Sequence, residues 1–194
     1  MENILNFTRD DLALWLESKG IRPFRSGQIF KWLYIKQADT FEQMTDLSKD
    51  LRKNLIEDFF IQRLVLDEKL VSTDATQKFL YKLDDGQHIE SVLIPEKDHF
   101  TLCVSSQVGC AQDCQFCLTA KGGFVRNLSV SEMIAQIRDA RYYLIQKKIE
   151  PLKLSNLVFM GMGEPLANYK NLIRSLKIIL DSDYGLKFSS KRVT

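Results

Sequence analysis

The sequence predicts an α/β protein in which a helical N-terminal region and a β-hairpin precede part of a parallel α/β layer. Three observations carry that reading. Apolar residues recur at helical spacing up to about residue 60. Asp85-Gly86 then sits between two runs of strand character. From about residue 96 the pattern alternates strand, loop, helix, strand, helix.

In the first region, Thr8 offers an N-cap hydroxyl ahead of Leu12, Trp15 and Leu16, and Gly20 ends the stripe. Pro23 suits the first turn of a second helix bearing Phe24, Ile29, Phe30 and Leu33. Leu47, Leu51, Leu55 and Phe59 are spaced by four and predict a third helix over Leu47 to Phe60. Residues 1–60 thus form a helical accessory domain, and 61–95 a hairpin region. Its strands are Lys78 to Leu83 and Ile89 to Ile94, and Glu90 shares a face with His88, Val92 and Ile94.

Residues 96–194 carry the alternating part. Thr101 to Val104 is a short strand, followed by a loop rich in Gly and Cys. Ser129-Val130-Ser131-Glu132 is a capping box that opens a helix with Val130, Met133, Ile134, Ile137 and Leu144 on one face. Leu157 to Met160 is wholly apolar, as a buried parallel strand should be. Gly161-Met162-Gly163-Glu164-Pro165 follows, then a helix with Leu172, Ile173, Leu176, Ile179 and Leu180. Phe188 to Thr194 reads as another strand beginning. Two such units and part of a third leave a parallel edge exposed, so the expectation is the N-terminal part of a longer protein.

Composition narrows the function classes. The 194 residues are 45% hydrophobic and 27% charged, which excludes disordered and low-complexity chains. No apolar run approaches the ~20 residues of a membrane span, and the N-terminus lacks a secretory pattern. The expected address is the cytoplasm. A net charge of +2 argues neither for nor against nucleic acid.

All four cysteines lie between Cys103 and Cys117. Such clustering points to metal or redox chemistry rather than a disulfide scaffold. In Cys110-Ala111-Gln112-Asp113-Cys114-Gln115-Phe116-Cys117 the spacing is C-x3-C-x2-C. Three thiolates on a four-iron cube leave one iron open, as a reactive cluster needs. A structural zinc site is the alternative and needs a fourth ligand, from Cys103 or His99. A disulfide pair with two free thiols is another.

C-x3-C-x2-C with an aromatic before the last cysteine resembles the signature of the radical S-adenosylmethionine enzymes. Gly163-Glu164-Pro165 after the second strand is similar to that superfamily's glycine–glutamate segment. Thr101 to Cys110, Gly123 to Leu128, Met160 to Pro165, and Pro23-Phe24-Arg25 with Trp32 resemble the RlmN-type RNA methyltransferases. Cfr-type enzymes, which methylate C8, share the layout, and a non-catalytic zinc-stabilised RNA-binding module is the alternative from another class.

The resemblance implies that residues 96–194 are the N-terminal part of a radical SAM (β/α) barrel. It implies a [4Fe-4S] cluster on Cys110, Cys114 and Cys117, and S-adenosyl-L-methionine held by Phe116, Gly163 and Glu164. Methylation at adenosine C2 in 23S rRNA and tRNA would proceed through a 5′-deoxyadenosyl radical and a methyl-carrying cysteine beyond Thr194. Cys103 would resolve the RNA–protein adduct by disulfide formation, and Glu90 would be the base that takes the C2 proton, its pKa raised by partial desolvation. An electron donor such as flavodoxin, a monomeric state and no membrane are also implied. Without the resemblance, plain structural roles suffice: a buried strand thiol for Cys103, a solvated strand acid for Glu90, packing for Phe116, and tight turns for Gly161 and Gly163. Glu164, between Gly and Pro, has no evident fold role. Arg22, Arg25, Lys31 and Lys36 of the accessory domain would contact RNA phosphates or simply be solvated.

Overall fold

A computed structural model describes residues 1–112 and 114–194; Asp113, within the cysteine motif, lies outside the described residues. The chain opens with β1 (Glu2–Asn3) and α1 (Arg9–Ser18). The Thr8 side chain accepts from Asp11 N–H, while Asp11 accepts from Thr8 N–H, so the cap is reciprocal. Next comes α2 (Arg25–Phe30), which runs directly into a π-helical stretch, Lys31–Ile35. Then α3 (Lys49–Asp58) leads into β2 (Phe59–Phe60), which pairs in parallel with β1. Leu12, Leu16, Ile29, Phe30, Leu33, Leu51 and Leu55 are buried among these elements.

The central sheet has five strands in the order β3 (Val65–Val71), β4 (Gln77–Lys82), β5 (His88–Pro95), β6 (Phe100–Cys103), β9 (Leu154–Val158). Between β6 and β9 lie β7 (Gln107–Gly109), α4 (Leu118–Lys121), β8 (Phe124–Asn127) and α5 (Val130–Gln146); α6 (Tyr169–Ile179) follows β9. Only β6 and β9 pair in parallel; the other neighbours in this sheet are antiparallel. The Asp-Gly hairpin forms as the sequence predicts, but its two strands continue directly into the α/β sheet. The sequence does not reveal β3. All seven of its residues are exposed, so no alternation of burial marks it, and backbone pairing with β4 alone defines it.

The predicted strand from Phe188 also differs. Leu186 and Phe188 donate their N–H groups to Ile178 and Ile179 C=O, tying this stretch to the end of α6. A 3-10 turn spans Ser190–Arg192, and only Val193 pairs in parallel, with Leu157.

The two sheet faces differ in character. Phe79, Tyr81, Ile89, Ser91, Leu93, Leu102 and Leu157 are buried, on the side of α5. The opposite face carries Lys78, Leu80, Glu90, Val92, Ile94, Thr101, Cys103, Asn156 and Val158, all only half-buried. No helix among the described residues is long and apolar enough to cross a membrane.

Arg138 of α5 joins the helical region to the sheet. Its side chain is fully buried and donates to three carbonyls: Leu33 (3.1 Å), Gln62 (3.3 Å) and Ala38 (2.8 Å). Burial pulls its guanidinium down to about 10, so it is charged at neutral pH.

Candidate active site

β6 and β9 end side by side, and their carboxyl ends feed the two loops that matter. In open parallel sheets and barrels this is where ligands bind. Ser105 Oγ donates to Glu90 C=O (2.6 Å) and accepts from Met162 N–H (2.8 Å). Gln107 Oε1 accepts from Glu164 N–H (2.8 Å), and its Nε2 donates to Asn127 Oδ1 (2.8 Å). The glycines permit this stitching. A β-carbon on Gly161 would lie 2.8 Å from Ser105 N, and one on Gly163 2.5 Å from Gln107 Cβ. Their role is close approach between two loops as well as the turn itself. Glu164 acquires the fold role that the sequence does not reveal. Its carboxylate accepts from Leu166 N–H (3.0 Å) and caps the 3-10 turn Pro165–Asn168.

The cysteine loop is bracketed by the antiparallel pair β7–β8. Gly109 pairs with Phe124 at φ +71°, and a β-carbon there would strike Gly123 C=O. Cys110 N–H donates to Gly123 C=O (3.0 Å), and Cys117 N–H to Cys114 C=O (2.9 Å). Cys110 is buried, Cys114 exposed and Cys117 half-buried, and no disulfide links the four cysteines. The Ala120 N–H, helped by Thr119 N–H and its hydroxyl, holds the Cys117 thiol below its usual range against the opposing effect of burial. Phe116 is 93% exposed on the cysteine loop, so it packs against nothing among the described residues.

Among the described residues no three His, Cys, Asp or Glu side chains converge on a single metal ion. Three soft sulfur donors on one loop fit a multi-iron cluster, whose ligands bind different irons and need not meet at one point. The fourth ligand a zinc site would need is not at hand in His99. That residue precedes β6, at the opposite end of the strand, with Nδ1 bonded to Asp98 (2.7 Å) and Nε2 to Asn156 (2.9 Å).

Cys103 and Glu90 share the open face. Cys103 is paired with Val92, and Glu90 lies two residues from Val92 on the same side of β5. Diagonal neighbours of this kind are about 7–8 Å apart. Because β5 runs antiparallel to β6, Glu90 lies at the same end of the sheet as the cysteine loop. Burial pushes the Cys103 thiol up, offset in part by a backbone hydrogen bond from Met160. Glu90 is half-buried. Its side chain is 40% exposed and ion-paired with Lys78 Nζ at 2.9 Å.

Four supporting residues have roles that the sequence does not reveal, Asn168 among them, which stands at the N-cap of α6 as expected but makes no side-chain cap bond there. Gln136 is fully buried; its Oε1 accepts from Ser91 Oγ (2.8 Å) and Ser105 N–H (2.9 Å), and its Nε2 donates to Ser105 C=O (3.0 Å). Its signal was a polar residue inside an apolar helical stripe. Asn168 bridges Ser106 and Leu128 C=O. Arg126 grips both Glu132 oxygens and Asp85, so it ties the cysteine-loop hairpin to α5 and to the β4–β5 turn. Lys78 is the fourth.

The fold and the loop arrangement define a class. Over its whole length the chain superposes, with TM-score 0.88 and 36% identity, on 56% of a radical SAM methyltransferase from Sphaerobacter thermophilus. Residues 2–61 match the family described as ribosomal RNA large subunit methyltransferase N-terminal domain. Over its whole length the chain is similar to curated proteins of the RlmN type. It is 53% identical to the dual-specificity RNA methyltransferase RlmN of Desulfosudis oleivorans and 47% identical to that of Geobacter sulfurreducens, covering 100% of this chain and 51% of each relative. It is 44% identical to the probable RlmN of Aquifex aeolicus, covering 54% of that protein. The chain thus spans about half the length of the curated relatives it matches.

Proposed function

We propose that this chain carries the cofactor-handling half of a radical S-adenosylmethionine methyltransferase that modifies adenosine C2 in 23S rRNA and in tRNAs. The supporting observation is one open sheet face that holds Cys103 beside Glu90, at the end where the cysteine loop and the Gly161–Glu164 loop emerge.

Cys110, Cys114 and Cys117 would hold a four-iron cluster, with S-adenosylmethionine beside it near Phe116, Gly163 and Glu164. When bound, that pair supplies one-electron cleavage of a sulfonium, the force that an unactivated aromatic carbon demands. The chain's own residues do the rest. Phe116 offers an exposed ring for a flat adenine to lie against. Ser105, Gln107 and the two glycines hold the Met162–Glu164 backbone in a fixed place, so the cofactor meets a preorganised wall. Glu90 presents a carboxylate on the face where RNA would lie and takes the proton from C2. Cys103 keeps its proton on Sγ at neutral pH because burial disfavours the thiolate. It gives up that proton when its sulfur attacks the sulfur of a cysteine, supplied by the rest of the protein, that is joined through a methylene carbon to the RNA: the S–S bond forms, the S–C bond breaks, and its electron pair goes to the methylene carbon, which takes up a proton to become the methyl group of the freed RNA. A reductant such as flavodoxin, a monomeric state and a cytoplasmic setting belong to the same reading.

The test uses the full-length parent protein, purified and reconstituted without oxygen and incubated with a 23S rRNA fragment. Mass spectrometry of the digested RNA should place one new methyl group on adenosine C2. A methyl group on C8, or no transfer by a cluster-loaded enzyme, overturns the reading.

A further inference from the structure

We propose that Lys78 is the positioning residue for the base Glu90; the inference rests on the reading of Glu90 given above. Lys78 stands on β4 directly opposite Val92, and Val92 stands opposite Cys103 on β6. One row across the open face therefore runs Lys78, Val92, Cys103, with Glu90 beside it. The direct cross-strand partner of Glu90 is Leu80, so the ion pair is diagonal: the lysine leans along the sheet to reach Glu90 Oε1 at 2.9 Å.

A carboxylate that acts as a base must hold one oxygen toward the proton it takes. Glu90 is half-exposed, and among the described residues Lys78 is the only charged partner recorded for its carboxylate. Without that contact the side chain is free to rotate in solvent. With it, Oε1 is fixed and Oε2 is left to take the proton. The C2–H bond then breaks, its proton passes to Oε2, and its electron pair stays on the adduct. The pair changes from ammonium–carboxylate to ammonium–carboxylic acid, and Lys78 gives up no proton. In water such a contact contributes little. Covered by RNA, the same contact sits in a lower dielectric and orients more strongly. Of the other charged groups of this face, His88 bonds to Asp67 on β3 at 3.1 Å, Glu68 on β3 stands opposite Leu80, and Lys82 stands opposite His88 on the other diagonal of Glu90, where no ion pair to that carboxylate forms among the described residues.

The test uses the full-length, cluster-reconstituted parent and a single turnover on RNA, read as protein covalently joined to RNA on a denaturing gel. E90Q should accumulate that adduct, which reports on the base reading alone. K78M should accumulate it too, with release slowed roughly 10- to 100-fold, a share of what general bases contribute, and with KM for RNA changed less than about twofold. K78R should restore release to within about threefold of wild type, since a cation is kept there. In the E90Q background K78M should add no further loss, because both act through one carboxylate. If E90Q traps adduct but K78M releases normally, or if the double variant is additive, the inference falls and the base reading stands. Absence of adduct in E90Q removes both. A K78M protein that fails to fold hands the decision to K78Q and K78R under the same readout.

Discussion

At Gly163 the backbone runs with φ at +97°, and Gln107 lies where a β-carbon would be. Gly163→Ala should therefore combine a left-handed backbone penalty with a clash, costing about 2–3 kcal/mol. Urea unfolding of the wild type and variant measures it; a loss below about 0.5 kcal/mol would show that the loop can shift freely. Cys103 gives a pH prediction. Its folded thiol is pushed above the ordinary range, so folding favours the protonated form. The stabilisation is complete below about pH 8.5, where an unfolded thiol is protonated, and fades as pH rises through the folded pKa. Unfolding free energy should thus fall on raising the pH above about 8.5, and Cys103→Ser should flatten that part of the curve. An unchanged slope in the serine variant would assign it to other groups. At this scale the three clustered cysteines were legible because their chemistry is written in spacing, whereas Cys103 and Glu90 stood out only through the resemblance. Glu164's cap was not, because a cap depends on a backbone turn that spacing does not specify.

Among elements, α5 does the most. Its capping box and apolar stripe are plain in the sequence, and the structure follows them from Val130 to Gln146. Two polar residues inside that helix carry the architecture: Gln136 reaches the loop after β6, and Arg138 reaches back to the π-helical stretch. Arg138→Met keeps the volume but leaves the carbonyls of Leu33, Gln62 and Ala38 without their donor. The cost should be about 3 kcal/mol, with faster hydrogen exchange across residues 31–38. Uniform loss of protection over the whole chain would mean that Arg138 does not act locally. The hairpin β4–β5 was legible from Asp-Gly and alternation, whereas β3 was not, since an exposed edge strand borrows its order from its neighbour.

For the whole molecule the decisive test is the metal. The full-length parent, purified without oxygen, should be brown and contain iron and sulfide in equal amounts. Cys114→Ala should lose most of that iron while keeping its far-ultraviolet spectrum. Zinc in place of iron would favour the zinc-stabilised module instead. The main helices, the Asp-Gly hairpin, the two parallel strands and the cysteine and glycine–glutamate loops were determined by the sequence alone, because helix and strand periodicity, turn chemistry and ligand spacing are local properties. Only the tertiary structure decided that Glu90, Lys78 and Cys103 share one face, that Gly163 exists to let Gln107 approach, and that His99 sits at the wrong end for the cysteines. Those facts depend on strand register and on which loops touch, and pairing across distant parts of the chain is set by packing of the whole sheet rather than by any segment within it.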